Sequence, residues 1–222
     1  MNILGISGSP RHETTEELIQ AVLDATGEDT ELISLAGLSI GPCIACLGCV
    51  KTNVCVLKDD MAALRAKIVA ADAFVIGGAN YYSMPNALLH CFLERWYQFR
   101  HRENGDVTGK LAVAVGVGGM NGDPVVAAID MLLGYNLVES VASVSAQGAA
   151  CCFTCGYGET CKVGAIHMFF GPGTKITEEI TPSLAKQPDI IGQAQDAGRL
   201  LGERLRSGRN RATVARNVMA AL

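Results

Sequence analysis

No run of apolar residues in this 222-residue chain is long enough to cross a bilayer, and no basic segment precedes the strand-like Met1-Asn2-Ile3-Leu4-Gly5-Ile6. A cytoplasmic protein with no membrane partner is the expectation. Positive charge is scarce as well: 18 Lys and Arg stand against 22 Asp and Glu, a net charge of −4, so the overall balance gives no reason to expect nucleic acid. Two nucleotide signatures are missing. The three spaced glycines of a Rossmann turn do not follow the first strand, and there is no Walker lysine, which turns a phosphate-binding reading toward a mononucleotide. There is no internal repeat, low-complexity tract or interdomain linker, so residues 1–222 are expected to form one domain.

What is present is an alternation of buried strand and amphipathic helix, with 49% apolar and 18% charged residues. Strands are expected at Asn2–Ser7, Glu31–Leu35, Ala73–Gly77, Leu111–Val117 and Leu137–Val144. Helices are expected at Thr14–Ala25, Lys58–Ala71, Asn86–Phe99, Pro124–Leu133 and Ile191–Leu205. Five strands alternating with helices predict an α/β fold, a flavodoxin-like doubly wound five-stranded parallel sheet with helices on both faces. Two segments break the pattern: a loop over 39–57 after strand two, and a long irregular one over 147–188 after strand five. Ordinary connections need only ~2–6 residues, so both are expected to be functional.

Three loops at strand ends form a candidate ligand site. After the first strand come Ser7-Gly8-Ser9-Pro10-Arg11 and the helix opening Thr14-Thr15-Glu16. Hydroxyls, free helix-terminal N–H groups and a planar guanidinium suit a phosphate. A plain helix capped by Thr14 is the structural alternative. The third strand runs into Ala79-Asn80-Tyr81-Tyr82-Ser83-Met84, and the fourth into Gly118-Gly119. A planar ring would rest there, at the carboxyl ends flanking the switch point of the sheet.

Nine cysteines are many, and eight fall into two groups. Without an export signal, such groups read as metal ligands or redox thiols rather than disulfides. Cys43, Cys46 and Cys49 are evenly spaced and Cys55 follows. That spacing favours a 4Fe-4S cluster, with zinc or free redox thiols as the competing readings. Small residues at Ala45 and Gly48 would let the loop curl. Cys151, Cys152, Cys155 and Cys161 form the second group. It admits three readings: a second metal site at Cys152, Cys155 and Cys161, a redox pair at Cys152 and Cys155, or a loop packed over a ligand's edge. Cys91 shares a helical face with Leu88, Leu89, Phe92 and Trp96 and reads as core. The four histidines have no mutual metal-site spacing, and His12 beside the phosphate loop is the one to watch. Five arginines between Arg204 and Arg216 read as a solvated helix end, or as a dock for an acidic electron carrier.

From Met1 to Val144 the chain resembles the NADPH-dependent FMN reductase and flavodoxin-like superfamily, through Gly8-Ser9-Pro10-Arg11 with a following threonine and through Tyr81-Tyr82-Ser83 before a helix. The resemblance implies FMN, its phosphate held by Ser9, Arg11 and Thr15 and its ring met by residues 79–84 with Gly118 and Gly119. The family commonly has a proline before the loop tyrosines, where this chain has Ala79-Asn80. With the compact cysteine motif added, the chain resembles the iron–sulfur flavoproteins of anaerobic microbes. That resemblance implies Cys43, Cys46, Cys49 and Cys55 as cluster ligands, and a cluster in electronic contact with FMN, often across a subunit interface. The function expected is an FMN-dependent oxidoreductase passing electrons between cluster and flavin, with ferredoxin or NAD(P)H as partner. An NAD(P)H-dependent FMN or quinone reductase with zinc-bound or free cysteines is one alternative, and a non-catalytic redox carrier or sensor the other. Phe169, Phe170 and Ile176 make the long loop too apolar to move freely, so a homodimer or homotetramer covered by it is expected.

Overall fold

The computed structural model describes residues 1–101, 105–208 and 210–222. Strand β1 (Asn2–Ser7) carries Ile3 toward one helical layer and Leu4 and Ile6 toward the other, so both its faces are buried. Helix α1 (Thr14–Asp24) follows, then β2 (Asp29–Ser34), α2 (Met61–Ala70) and β3 (Ala73–Tyr81). A two-residue strand β4 (Met84–Pro85) precedes α3 (Ala87–Glu94), which tightens into a 3-10 turn at Arg95–Phe99. The chain continues through β5 (Leu111–Gly118), α4 (Asp123–Tyr135), β6 (Glu139–Gln147), α5 (Ala165–Phe170), α6 (Pro188–Arg206) and α7 (Arg211–Ala221).

The sheet order is β2-β1-β3-β5-β6, with every neighbouring pair parallel. This is the expected doubly wound architecture. The order reverses between β1 and β3, so the crevice outside their carboxyl ends is where a ligand is held in such sheets. One face is covered by α2, α3 and α4 through Met61, Leu89, Phe92 and Ile129 among others; the opposite face is covered by α1, α6 and α7 through Leu18, Val22, Leu201 and Val214. Trp96 stands at the centre of an aromatic group, edge-on to Phe74, Phe92 and Phe99 at centroid distances of 5.1, 5.9 and 5.6 Å. Such pairs add about 0.5–1.5 kcal/mol each beyond their buried area. Among the described residues, no helix is long and apolar enough to cross a membrane.

The structure departs from the sequence reading at several points. β3 does not stop at Gly77 but runs to Tyr81 and folds back onto β4, pairing Tyr81 with Met84. Tyr82 and Ser83 make the turn with φ of 55° and 62°. Two positive φ values suit the twist of a hairpin but cost about 1–2 kcal/mol per residue without glycine. Thr14 is the first helical residue rather than a cap, and Glu13 before it makes no side-chain capping bond. Cys91 is half-buried rather than fully in the core. Residues 147–188 contain α5 and two 3-10 turns, at Cys151–Phe153 and Leu184–Lys186. The C-terminal arginines are not simply solvated: Arg204 pairs with Glu139 and Arg206 with Glu28, both at 2.7 Å, while Arg211 Nε donates to the Thr108 carbonyl at 2.9 Å. Of those five arginines, Arg209 lies outside the described residues.

Candidate functional site

Parallel strands deliver their carboxyl ends to one edge of the sheet, and four loops meet there. Ser9, Arg11, Thr14 and Thr15 after β1, Ala79 to Tyr82 at the β3 end, and Gly118 with Gly119 after β5 line one cavity of about 560 Å³. That size falls within the range of small-molecule sites. The fourth wall comes from the segment after β6: Gly148 to Cys152, with Thr154 and Ala165. Cys151 and Cys152 come from the loop that the sequence reads, in one of three ways, as packed over a ligand's edge; Gly148, Ala149, Ala150 and Ala165 were not singled out, although the end of β6 is one more strand end on the same edge.

The loops are locked to one another before any ligand arrives. Asn86 is 3% exposed; its Nδ2 donates to the Gly8 carbonyl at 2.7 Å and its Oδ1 accepts from Ala79 N at 3.2 Å. One buried side chain therefore ties the phosphate loop to the β3 end. Asn80 Nδ2 donates to the Asn121 carbonyl at 3.0 Å, and Gln147 Nε2 donates to the Gly119 carbonyl at 3.0 Å. Arg11 bridges the first and fourth walls, with Nη2 donating to the Ala149 carbonyl at 2.8 Å and Nη1 3.2 Å from Glu13. Ser9 Oγ accepts from Arg11 N at 3.1 Å and donates to the Arg11 carbonyl at 2.9 Å, which shapes the turn.

Four expected ligand residues lie outside the cavity. Ser7 is fully buried at the end of β1. Glu16 points away toward its neighbours: burial pushes its carboxyl up, but Ser34 and the hydrogen bond and charge of His12 outweigh that and hold it below the ordinary value. His12 thus serves Glu16, 2.9 Å away one helical turn on, rather than a ligand. Ser83 and Met84 sit in the hairpin beyond the lining, while Tyr82 is fully exposed at the rim.

The first cysteine group stands elsewhere. Its loop rests on the second half of α3 and the 3-10 turn: Cys43 N donates to Glu94 Oε2 and Cys55 N to Gln98 Oε1, both at 3.0 Å. Cys49 Sγ is 3.3 Å from His101 Nε2, a histidine that sequence spacing did not single out. None of these four cysteines lines the cavity, and α3 is tied to the cavity loops at its start, through the hydrogen bonds of Asn86 to Gly8 and Ala79. The helix alone sets Glu94 about 12 Å from that end.

Arg95, 2% exposed, anchors the base of the loop. Its guanidinium grips Asp59 at 2.5 and 3.1 Å and donates to the Gly41 carbonyl at 3.1 Å, while Gly41 N donates back to Asp59 at 3.1 Å. Cys43, Cys46 and Cys55 all lie within electrostatic reach of Cys49. Burial pushes the Cys49 thiol up, and negative charge on Cys55, Cys43 or Cys46 would push it further. The loop curls at Ala45 and Leu47, with φ of 51° and 57°, not at Gly48. Gly48 serves close packing instead, since a Cβ there would meet Val56 Cγ1 at 2.6 Å. Among the described residues, no three potential ligands are gathered tightly enough to grip a single metal ion.

The sheet order and the strand-end pocket define a flavodoxin-like architecture. The model of a family described as NADPH-dependent FMN reductase matches residues 1–148. An iron–sulfur flavoprotein of Methanocaldococcus jannaschii is 35% identical over 126 residues, covering 52% of this chain and 62% of that protein, less than two thirds of its length. One from Archaeoglobus fulgidus is 30% identical over 146 residues, 64% of this chain and 75% of that protein. Among solved structures, RosB with bound 8-demethyl-8-formylriboflavin-5'-phosphate superposes with a TM-score of 0.59 at 16% identity, covering 99% of this chain and 81% of RosB. The chain belongs to the NADPH-dependent FMN reductase family, and within it is similar to the iron–sulfur flavoproteins.

The Asp59–Arg95 contact yields a test. Burial pushes the Asp59 carboxyl up, but the Arg95 hydrogen bonds and that from Gly41 N outweigh it and hold it below its ordinary value of 3.8. A lowered carboxyl pKa stabilises the fold at and above the ordinary value, and that stabilisation fades as pH falls through the folded one. Asp59→Asn should therefore lower unfolding free energy at neutral pH by about 2–4 kcal/mol, as one partner of a largely buried pair is lost. In urea titrations the gap to wild type should close toward strong acid. A gap that is absent at neutral pH, or unchanged in acid, contradicts this role.

Proposed function

We propose that this protein, working in the cytoplasm, passes electrons between FMN in the strand-end pocket and a 4Fe-4S cluster held by Cys43, Cys46, Cys49 and Cys55. The observation that carries the reading is the arrangement of the cysteine loop: it is tethered by hydrogen bonds to Glu94, Arg95 and Gln98, with Cys43, Cys46 and Cys55 all in electrostatic range of Cys49. A thiol loop fixed this way suits a group that needs four thiolates and backbone N–H groups around its sulfurs. When bound, the flavin supplies two-electron chemistry and the cluster one-electron exchange.

The protein's own groups then have defined tasks. Arg11, with the backbone N–H groups opening α1, would hold the phosphate charge. The hydrogen bonds of Asn86, Asn80 and Gln147 keep the ring-side loops in place, so little ordering is required on binding. Tyr81 and Tyr82 would shield the open side of the ring from water.

Within one chain the cysteine loop and the pocket lie at opposite ends of α3. Ile44 and Leu47, 60% and 61% exposed, leave the loop with an apolar surface. A homodimer or homotetramer that sets the loop of one chain against the pocket of another satisfies both observations. NAD(P)H or a small carrier such as ferredoxin would supply or take the electrons.

Two measurements check the reading. Arg11→Ala should weaken FMN retention by about 1–3 kcal/mol, through loss of a charge-assisted contact. Unchanged retention would remove the guanidinium from the phosphate site. Protein purified anaerobically should run as a dimer or larger, and Cys46→Ser should lose about four irons and four sulfides per chain while FMN stays bound. A monomer, or an iron content indifferent to Cys46, would contradict the proposal.

A further inference from the structure

The second cysteine group repeats the spacing of the first. Cys46, Cys49 and Cys55 are separated by two and five residues, and so are Cys152, Cys155 and Cys161. The two loops share little else, and they sit on different elements: one against α3, the other between β6 and α5.

Local geometry around the second group is that of a loop prepared for thiolate ligands. Cys155 Sγ accepts from the backbone N–H of Tyr157 at 3.4 Å, across a Gly156 whose φ is +80°. Cys152 Sγ accepts from Ala165 N at 3.3 Å. A Cβ at Gly164, the residue just before, would lie 3.2 Å from Cys161 Sγ, so the Cys152 and Cys161 sulfurs flank the same Gly164–Ala165 step. Gly158 closes the loop over the Cys152 carbonyl, which a Cβ would meet at 2.0 Å. Backbone N–H groups aimed at sulfur stabilise the thiolate form and tune a bound centre. All four cysteines of the loop are free thiols in the structure.

We propose that Cys152, Cys155 and Cys161 ligate a second iron–sulfur centre at the wall of the flavin pocket. Cys152 lines that pocket, whereas no cysteine of the first group does. The second centre is therefore the one that stands beside the flavin within a single chain. Cys151 is left out of the ligand set. Consecutive side chains diverge, and Cys151 is exposed where Cys152 is half-buried. The remaining corner is left to a non-cysteine ligand. Among the described residues no three potential ligands are gathered tightly enough for a single metal ion, so loading must bring these sulfurs together. The site shares no ligand with Cys43, Cys46, Cys49 and Cys55, and stands or falls separately from them.

Iron, sulfide, zinc and FMN should be measured on the full chain purified anaerobically, alongside four single variants. Wild type should hold about eight irons per chain, and Cys155→Ser about four with FMN retained. Cys161→Ser should repeat that loss, guarding against a folding defect peculiar to one variant, and Cys151→Ser should keep the wild-type iron. Cys46→Ser separates the two sites. If Cys155→Ser loses iron while Cys46→Ser does not, the second centre is upheld and the first reading fails. Wild-type iron of about four that is unaffected by Cys155→Ser overturns the proposal. So does about one zinc lost with Cys155→Ser, or a Cys152–Cys155 disulfide in the isolated protein.

Discussion

Helix α3 is fixed by the packing of its inner face, where Leu89, Phe92 and Trp96 lie against Phe74 and Ile76 of the sheet. Both candidate sites hang from it. At its start, Asn86 binds the phosphate loop and the β3 end to each other. At its far end, Glu94, Arg95 and Gln98 hold the cysteine loop. The helix is buried on its inner face and cannot slide without emptying the aromatic group around Trp96, so the separation of the two sites is a property of the core. The strand-end pocket at one end and the first cysteine loop at the other are held apart by the rigidity of a single element.

This arrangement divides the work of polar burial. Arg95 is a charged group in the interior, which is tolerable because Asp59 pairs with it and the Gly41 carbonyl accepts from its Nη1. Asn86 is a neutral group in the interior, and it too spends its hydrogen bonds on backbone atoms of loops that have no regular ladder. Irregular loops at strand ends otherwise open easily. Here two side chains from one helix replace the missing ladder, which is why such different loops can present a preformed surface.

Much of this was legible in the residues. Strands such as Ala73–Ile76 and Leu111–Val115 are apolar without interruption, the mark of a sheet covered on both faces. Arg11, Thr14 and Thr15 stood out because the chemistry of phosphate binding is local: a turn, hydroxyls and a helix start. Other features were hidden for physical reasons. Tyr82 and Ser83 occupy positive φ without the glycine or asparagine that announces such a turn. Helix α7 is rich in alanine and arginine with few apolar positions, so its periodicity is faint, and its docking depends on Val214 and on Arg211 reaching Thr108. Asn86 and His101 are brought in by tertiary contacts that no spacing encodes.

The central claim is that one chain combines a two-electron flavin with one-electron thiolate-bound centres. An anaerobic reductive titration followed by visible absorbance and electron paramagnetic resonance tests it most directly. The account predicts uptake of more electrons than the two a flavin accepts, with one further electron at each cluster and a low-temperature signal from reduced iron–sulfur. Uptake that stops at two electrons, all of them accounted for by flavin bleaching, would contradict it.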